Sequence, residues 1–160
     1  MSTSLVTAAA MARLAGDAGR GLVTMRGHHL VVDAPLALGG PNEEINPLDL
    51  MLAALSTCAT FLCDSVAREQ MMVLTHLRVA VAADFNPRGM CGDPVDPSIQ
   101  ALRLQLHLGG VTADQAQLLA QSMRARCPIF TTLARGMNID VSVMLEADQR
   151  QASIEKSGSD

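Results

Sequence analysis

The sequence has no tryptophan, no tyrosine and only three phenylalanines. It also lacks a basic stretch, and its formal net charge is −4. A nucleic-acid binder needs clustered Lys/Arg and, for single strands, aromatic faces on which bases stack. Neither is present, and the same shortage of cations argues against docking on an anionic membrane. No apolar run reaches the roughly 18 residues of a membrane span. The opening MSTSLVTAAAMARLAG lacks the Lys/Arg cluster of a signal peptide, so the expected location is cytoplasmic. Metal-binding spacing is missing too. Of the four cysteines, Cys58, Cys63, Cys91 and Cys127, no two make a Cys-x-x-Cys, and the four histidines make no His-x-x-x-His. No metal site is expected from such spacings. In a reducing cytosol, cysteines of this kind are core residues or redox residues.

What is present is apolar material. Nearly half of the 160 residues are hydrophobic, enough for one domain with its own core. The expectation is a single domain over 1–160, with its core at about 20–146 and a polar tail over 147–160 that frays. Residues 20–26 and 29–33 read as strands around Arg26-Gly27-His28, and the stretch to Asn46 reads as loop. Asn46 then offers an N-cap and Pro47 a first helical position. Asp49 suits the positive end of that helix. Leu50–Leu55 is apolar on every side, so the helix, running to about Glu69, is expected to be buried all round. Residues 76–84 and 100–108 alternate as strands, with a Gly/Pro loop over 86–98 between them. Thr112 with Gln115 resembles a capping box for a helix over 113–125. Cys127-Pro128 opens a short helix that stops near Gly136, and 138–145 is the last strand. Strands in groups separated by helices, without regular β-α-β alternation, predict an α+β fold.

Two thiols stand out. Cys58 shares a helical stripe with Met51, Leu55 and Leu62, an apolar setting that equally suits a core cysteine. Cys127 sits at an N-cap, where a helix terminus favours a thiolate, although a small residue also simply fits a cap. Together they could form a redox pair in which one sulfur attacks a peroxide and the other resolves the sulfenic acid. Cys63, five positions from Cys58, points about 140° away around the helix and reads as core. Cys91, in a Gly/Pro loop, reads as exposed and incidental. His28 and His29 open a strand and are weak candidates for substrate contact.

The stretch Leu38-Gly39-Gly40-Pro41, followed by Asn46-Pro47 and LDLMLAALSTC, resembles the first-cysteine helix of the OsmC/Ohr hydroperoxide-reductase family. The later CPIFTTLARGMNIDVSV resembles its second-cysteine helix and final strand. The order of elements is similar over roughly residues 20–146. The resemblance implies antiparallel sheets wrapped around a buried central helix and an intertwined homodimer with active sites at the subunit interface. It also implies a thiol peroxidase using Cys58 and Cys127 on an organic hydroperoxide, reduced again by a dithiol or small thiol, without metal, flavin, haem or other cofactor.

One departure concerns the acid. The family carries a Glu two residues after the Asn-Pro-type start, paired with an Arg that activates the cysteine; here that place holds Leu48. Position 48 lies about 15 Å along the helix from Cys58. An acid there could act only in the other active site of a dimer or through an intermediary. Asp49, Glu43 and Glu44 are the remaining acidic candidates. The family's Arg lies in the N-terminal strands, which leaves Arg20 or Arg26, and Arg20 is preferred because it precedes the first strand. Without the Arg–acid pair, the chain could instead be a small apolar ligand-binding protein or a redox sensor.

Overall fold

The computed structural model of the chain describes residues 4–146, so the expected polar tail lies outside the described residues. The chain forms two compact units. One holds the residues up to Met51 together with Asn86–Pro97; the other holds Leu52–Phe85 and the residues from Ser98 onward.

In the first unit, β1 (Met11–Leu14), β2 (Arg20–Met25) and β3 (His28–Asp33) form an antiparallel sheet in that order. β1 was not anticipated; all four of its residues are exposed, so no burial pattern marks it in the sequence. Arg26 and Gly27 join β2 to β3 with φ of 50° and 81°. Two left-handed residues in a two-residue loop match the right-handed twist of the flanking strands. The turn fixes the register, placing Met25 opposite His28 and Arg20 opposite Asp33. Between Asn86 and Pro97, a single 3-10 turn, Pro87–Cys91, interrupts the expected loop.

Helix α1 (Pro47–Glu69) begins and ends where the sequence predicts. Asn46 Oδ1 accepts from the N–H groups of Leu48 and Asp49, and Asp49 Oδ2 accepts from the Asn46 N–H. This reciprocal cap satisfies donors that a helix start otherwise leaves open.

The second unit contains β4 (His76–Phe85), β5 (Ile99–Gly109), α2 (Ala113–Arg126), α3 (Pro128–Leu133) and β6 (Ile139–Glu146). Strand order is β4-β5-β6. β4 and β5 are antiparallel, but β5 and β6 are parallel, which corrects the expectation of wholly antiparallel sheets. The two helices between β5 and β6 supply the long crossover that a parallel pair requires. Leu102, Leu104, Leu106 and Leu108, alternating along β5, are at most 1% exposed. They share one core with Leu55, Ala59, Cys63, Val66 and Ala67 of α1 and Leu119 and Met123 of α2. Each such leucine contributes about 2 kcal/mol through burial.

Burial of α1 also departs from expectation. One stripe is buried, whereas Ala53, Ala54, Thr57 and Phe61 on the opposite side are exposed, Phe61 to 70%. No unbroken apolar run of 18 residues exists, yet a window of α1 reaches a mean hydropathy of 1.7, enough by length and composition for a membrane span. The buried stripe packs one side of this helix into the protein core.

Candidate active site

Helix α1 carries Cys58 and Cys63, and the α2–α3 corner carries Cys127. At that corner Cys127 ends one helix and starts another. Its N–H donates to Met123 O, and its Sγ accepts from the Phe130 N–H at 3.3 Å. Pro128 follows at the first helical position, where no N–H is needed. The corner points Cys127 at α1, and its Sγ lies 2.7 Å from Cys58 Sγ. Both are free thiols; Cys127 is buried and Cys58 half-buried. The sulfurs are inside van der Waals contact and only a small movement from a disulfide.

Burial pushes the Cys58 thiol up to about 11. The proton it shares with Cys127, and repulsion between two neighbouring thiolates, act in the same direction; the Ile129 N–H opposes them. The first turn of α3 therefore aims one N–H at each sulfur, Ile129 at Cys58 and Phe130 at Cys127. Cys63 is fully buried and also pushed up to about 11, by burial and then by charge on Cys127. Cys91 is exposed, and its thiol donates to Ala37 O and Pro87 O.

The remaining candidates lie in the first unit. Arg20 is bidentate to Asp33, with Nε–Oδ1 and Nη2–Oδ2 both at 2.9 Å. Its Nη2 also reaches Glu43 Oε2 at 2.6 Å, and Asp17 stands 3.5 Å from Nη1. Asp33 is completely buried and accepts from the N–H groups of Glu43 and Glu44 as well. Arg20 first, then these N–H donors, hold its carboxyl at about 2 despite its burial. Glu44 contributes its backbone here. Arg26 is at the exposed hairpin tip, Asp49 is engaged in the helix cap, and His28 and His29 are exposed, with His29 Nδ1 3.0 Å from Thr24 Oγ1.

Sequence reading missed Asp33. Its signal was available: an acid closing the apolar run HLVVD, opposite Arg20 once Arg26-Gly27 is read as the whole turn. The reading also missed the bidentate pair between Arg126, next to Cys127, and Glu69 at the end of α1. Among the described residues, no three His, Cys, Asp or Glu side chains gather as a metal site. An open groove of about 380 Å³ runs between α2 and β6, lined by Ala116, Ala120, Arg124, Val141 and Val143 among others, and includes neither Cys58 nor Cys127.

Against known proteins, residues 40–142 match a family model described as OsmC-like protein. No curated protein sequence matches the chain. Among solved structures, the chain is similar to an OsmC-like protein from Mycoplasma pneumoniae, with 16% identity, a TM-score of 0.72, and coverage of 89% of this chain and 97% of the other. It is also similar to an organic hydroperoxide resistance protein from Elizabethkingia anophelis, with 22% identity, a TM-score of 0.68, and coverage of 92% and 100%. A third is the organic hydroperoxide resistance protein OhrB of Bacillus subtilis, with 21% identity, a TM-score of 0.60, and coverage of 89% and 100%.

Proposed function

The chain belongs to the OsmC-like protein family, and from that premise we propose that it is a cysteine-based thiol peroxidase that reduces organic hydroperoxides to alcohols. The observation that carries this reading is the 2.7 Å approach of Cys58 and Cys127, two residues far apart in sequence. Two thiols so placed are suited to two-electron oxidation to a disulfide. The structural relatives named as organic hydroperoxide resistance proteins support a hydroperoxide as the oxidant.

In the first step the Cys58 thiolate attacks the distal peroxide oxygen. The O–O bond breaks, the sulfur loses two electrons to become a sulfenic acid, and the departing alkoxide takes a proton to leave as alcohol. Cys127 then attacks the Cys58 sulfur; the S–O bond breaks, water leaves and the disulfide forms. An external dithiol or small thiol reduces it by exchange. Cys58 is the half-buried member of the pair, so it takes the attacking role; the fully buried Cys127 resolves.

A thiol pushed up by burial is mostly protonated at neutral pH. Fast turnover therefore needs a positive charge, and the reading assigns that task to Arg20. The reading includes a homodimer, supported by the exposed apolar face of α1 around Phe61, and a cytoplasmic location, where thiol reductants keep the pair reduced. The elevated Cys58 pKa favours a second reading, a slow redox sensor or a small apolar ligand-binding protein.

Stopped-flow assay with cumene hydroperoxide and a dithiol tests the choice. Wild type turns over repeatedly, and Cys58→Ser is at least about a hundredfold slower, roughly 2.7 kcal/mol of transition-state stabilisation. Wild-type consumption no faster than that of Cys58→Ser would overturn the enzyme reading.

A further inference from the structure

The Cys58–Cys127 approach depends on two helix segments meeting, and a charged contact joins the same two segments at the end of α1, about 16 Å along the helix from Cys58. Glu69 is the last residue of α1, and Arg126 is the last residue of α2, one position before Cys127. Arg126 Nη1 and Nη2 donate to Glu69 Oε2 and Oε1 at 2.8 and 2.9 Å. Ser65 Oγ, one turn back on α1, also donates to Glu69 Oε1 at 3.1 Å. A bidentate pair fixes direction as well as distance. An acid at a helix C-terminus is the wrong sign for the helix dipole. Glu69 therefore works against its own helix, and its partner lies across the corner that presents Cys127.

We infer that Glu69 and Arg126 form a clamp that holds the Cys127 corner against α1, so that Cys127 stays within reach of Cys58 after Cys58 is oxidised. The inference rests on the peroxidase reading for its chemistry. A sulfenic oxygen must be accommodated where the sulfurs now stand 2.7 Å apart. That oxygen pushes the corner outward, and the clamp opposes the push. Resolution then proceeds by attack of the Cys127 sulfur on Cys58 with loss of water, ahead of a second peroxide that would carry Cys58 to sulfinic acid. Both residues are positioning residues; neither touches the reacting atoms. Arg126, the stronger influence, and then Ser65 draw the Glu69 carboxyl down to about 2, so the pair stays ionised at neutral pH.

The test compares wild type, Glu69→Gln, Arg126→Gln and the double exchange Glu69→Arg with Arg126→Glu. Formation of the Cys58 sulfenic acid and its conversion to disulfide are timed separately, with dimedone trapping the sulfenic acid. The expected result is resolution about three- to fivefold slower in each single variant, the scale of one exposed ion pair. Dimedone-trapped and over-oxidised Cys58 rise in step, and the double exchange restores resolution to within about twofold. Glu69→Gln relieves the helix dipole, and its circular dichroism and melting temperature are read alongside, so that slower resolution in a folded variant is separated from a loss of fold. The dithiol–disulfide equilibrium of Cys58 and Cys127 against a dithiothreitol redox buffer needs no peroxide. The same three- to fivefold loss there, with the same rescue, sustains the clamp even if wild type forms no sulfenic acid and the peroxidase reading falls. Unchanged resolution and equilibrium in both single variants, or a loss that the double exchange does not restore, overturns the clamp.

Discussion

One equivalent of cumene hydroperoxide added to the reduced protein should produce a single internal disulfide, Cys58–Cys127. The magnitude follows from the geometry. A disulfide needs Cα atoms within about 7 Å and sulfurs near 2.05 Å. Cys58 and Cys127 already have their sulfurs 2.7 Å apart. For Cys58 and Cys63 an ideal helix sets the Cα atoms about 8.6 Å apart, with side chains about 140° apart around the axis, so that linkage requires unwinding α1. Cys63–Cys127 is the competitor that matters, because charge on Cys127 raises Cys63. Its disadvantage is access: Cys63 is fully buried and does not meet the peroxide first. Peptide mapping by mass spectrometry reads the linkage, and rapid quench reads the stoichiometry. Cys127→Ser should consume about one equivalent in forming the sulfenic acid, and a further equivalent for each step of over-oxidation beyond it. Cys58→Ser should consume peroxide at the background rate. Cys63→Ser and Cys91→Ser should match wild type. A dominant disulfide through Cys63 or Cys91, or continued turnover by Cys58→Ser, would refute the mechanism while leaving the fold intact.

Three further outcomes follow from other contacts. Asp33 is held at about 2 in the folded chain against a reference of 3.8; a depressed carboxyl stabilises above its unfolded value and loses that contribution as pH falls through its folded one. Asp33→Asn should therefore flatten the fall in melting temperature between about pH 4 and pH 2, and an acid limb identical to wild type would rule the ion pair out as its cause. Asp49→Asn keeps an oxygen to accept from the Asn46 N–H, so stability should change by about 1 kcal/mol or less and the peroxidase rate hardly at all; a rate loss of about a hundredfold would instead make Asp49 part of the chemistry. Phe61→Glu places a charge on the exposed face of α1 and should convert a dimer to monomers in sedimentation at micromolar concentration, whereas a monomeric wild type would remove the assembly from the reading.

Much of the fold was legible because its local signals agree. Asn46-Pro47 starts α1, Thr112 with Gln115 starts α2 through a capping box, and Cys127-Pro128 starts α3, each on an element that the structure contains. The alternation of Leu102, Leu104, Leu106 and Leu108 marks a strand with one buried face. Parallel pairing of β5 with β6 was not legible, since the side-chain period is the same for either direction. Nor was the one-sided burial of α1, because apolarity all round a helix predicts cover on every side, whereas the fold covers one stripe.

The site was legible in its sulfurs and obscure in its charges, for a physical reason. Cys127 announces itself through a cap, a local motif, and its approach to Cys58 follows once the α2–α3 corner packs on α1. Charge pairing depends on register. Asp33 meets Arg20 only because a two-residue turn at Arg26-Gly27 sets positions 20 and 33 opposite each other. Arg20 does not lack an acid; it has two in hydrogen-bonding distance, Asp33 and Glu43, and the three side chains together are formally negative. A guanidinium so neutralised is a weak stabiliser of a thiolate, because the nearby carboxylates repel the charge it would attract. Asp33, buried and bonded to two backbone N–H groups, cannot readily leave. Glu43, with a side chain 70% exposed, can turn into solvent at little cost. In the proposed reading, Glu43 is therefore the group that must turn away before Arg20 can act as a cation.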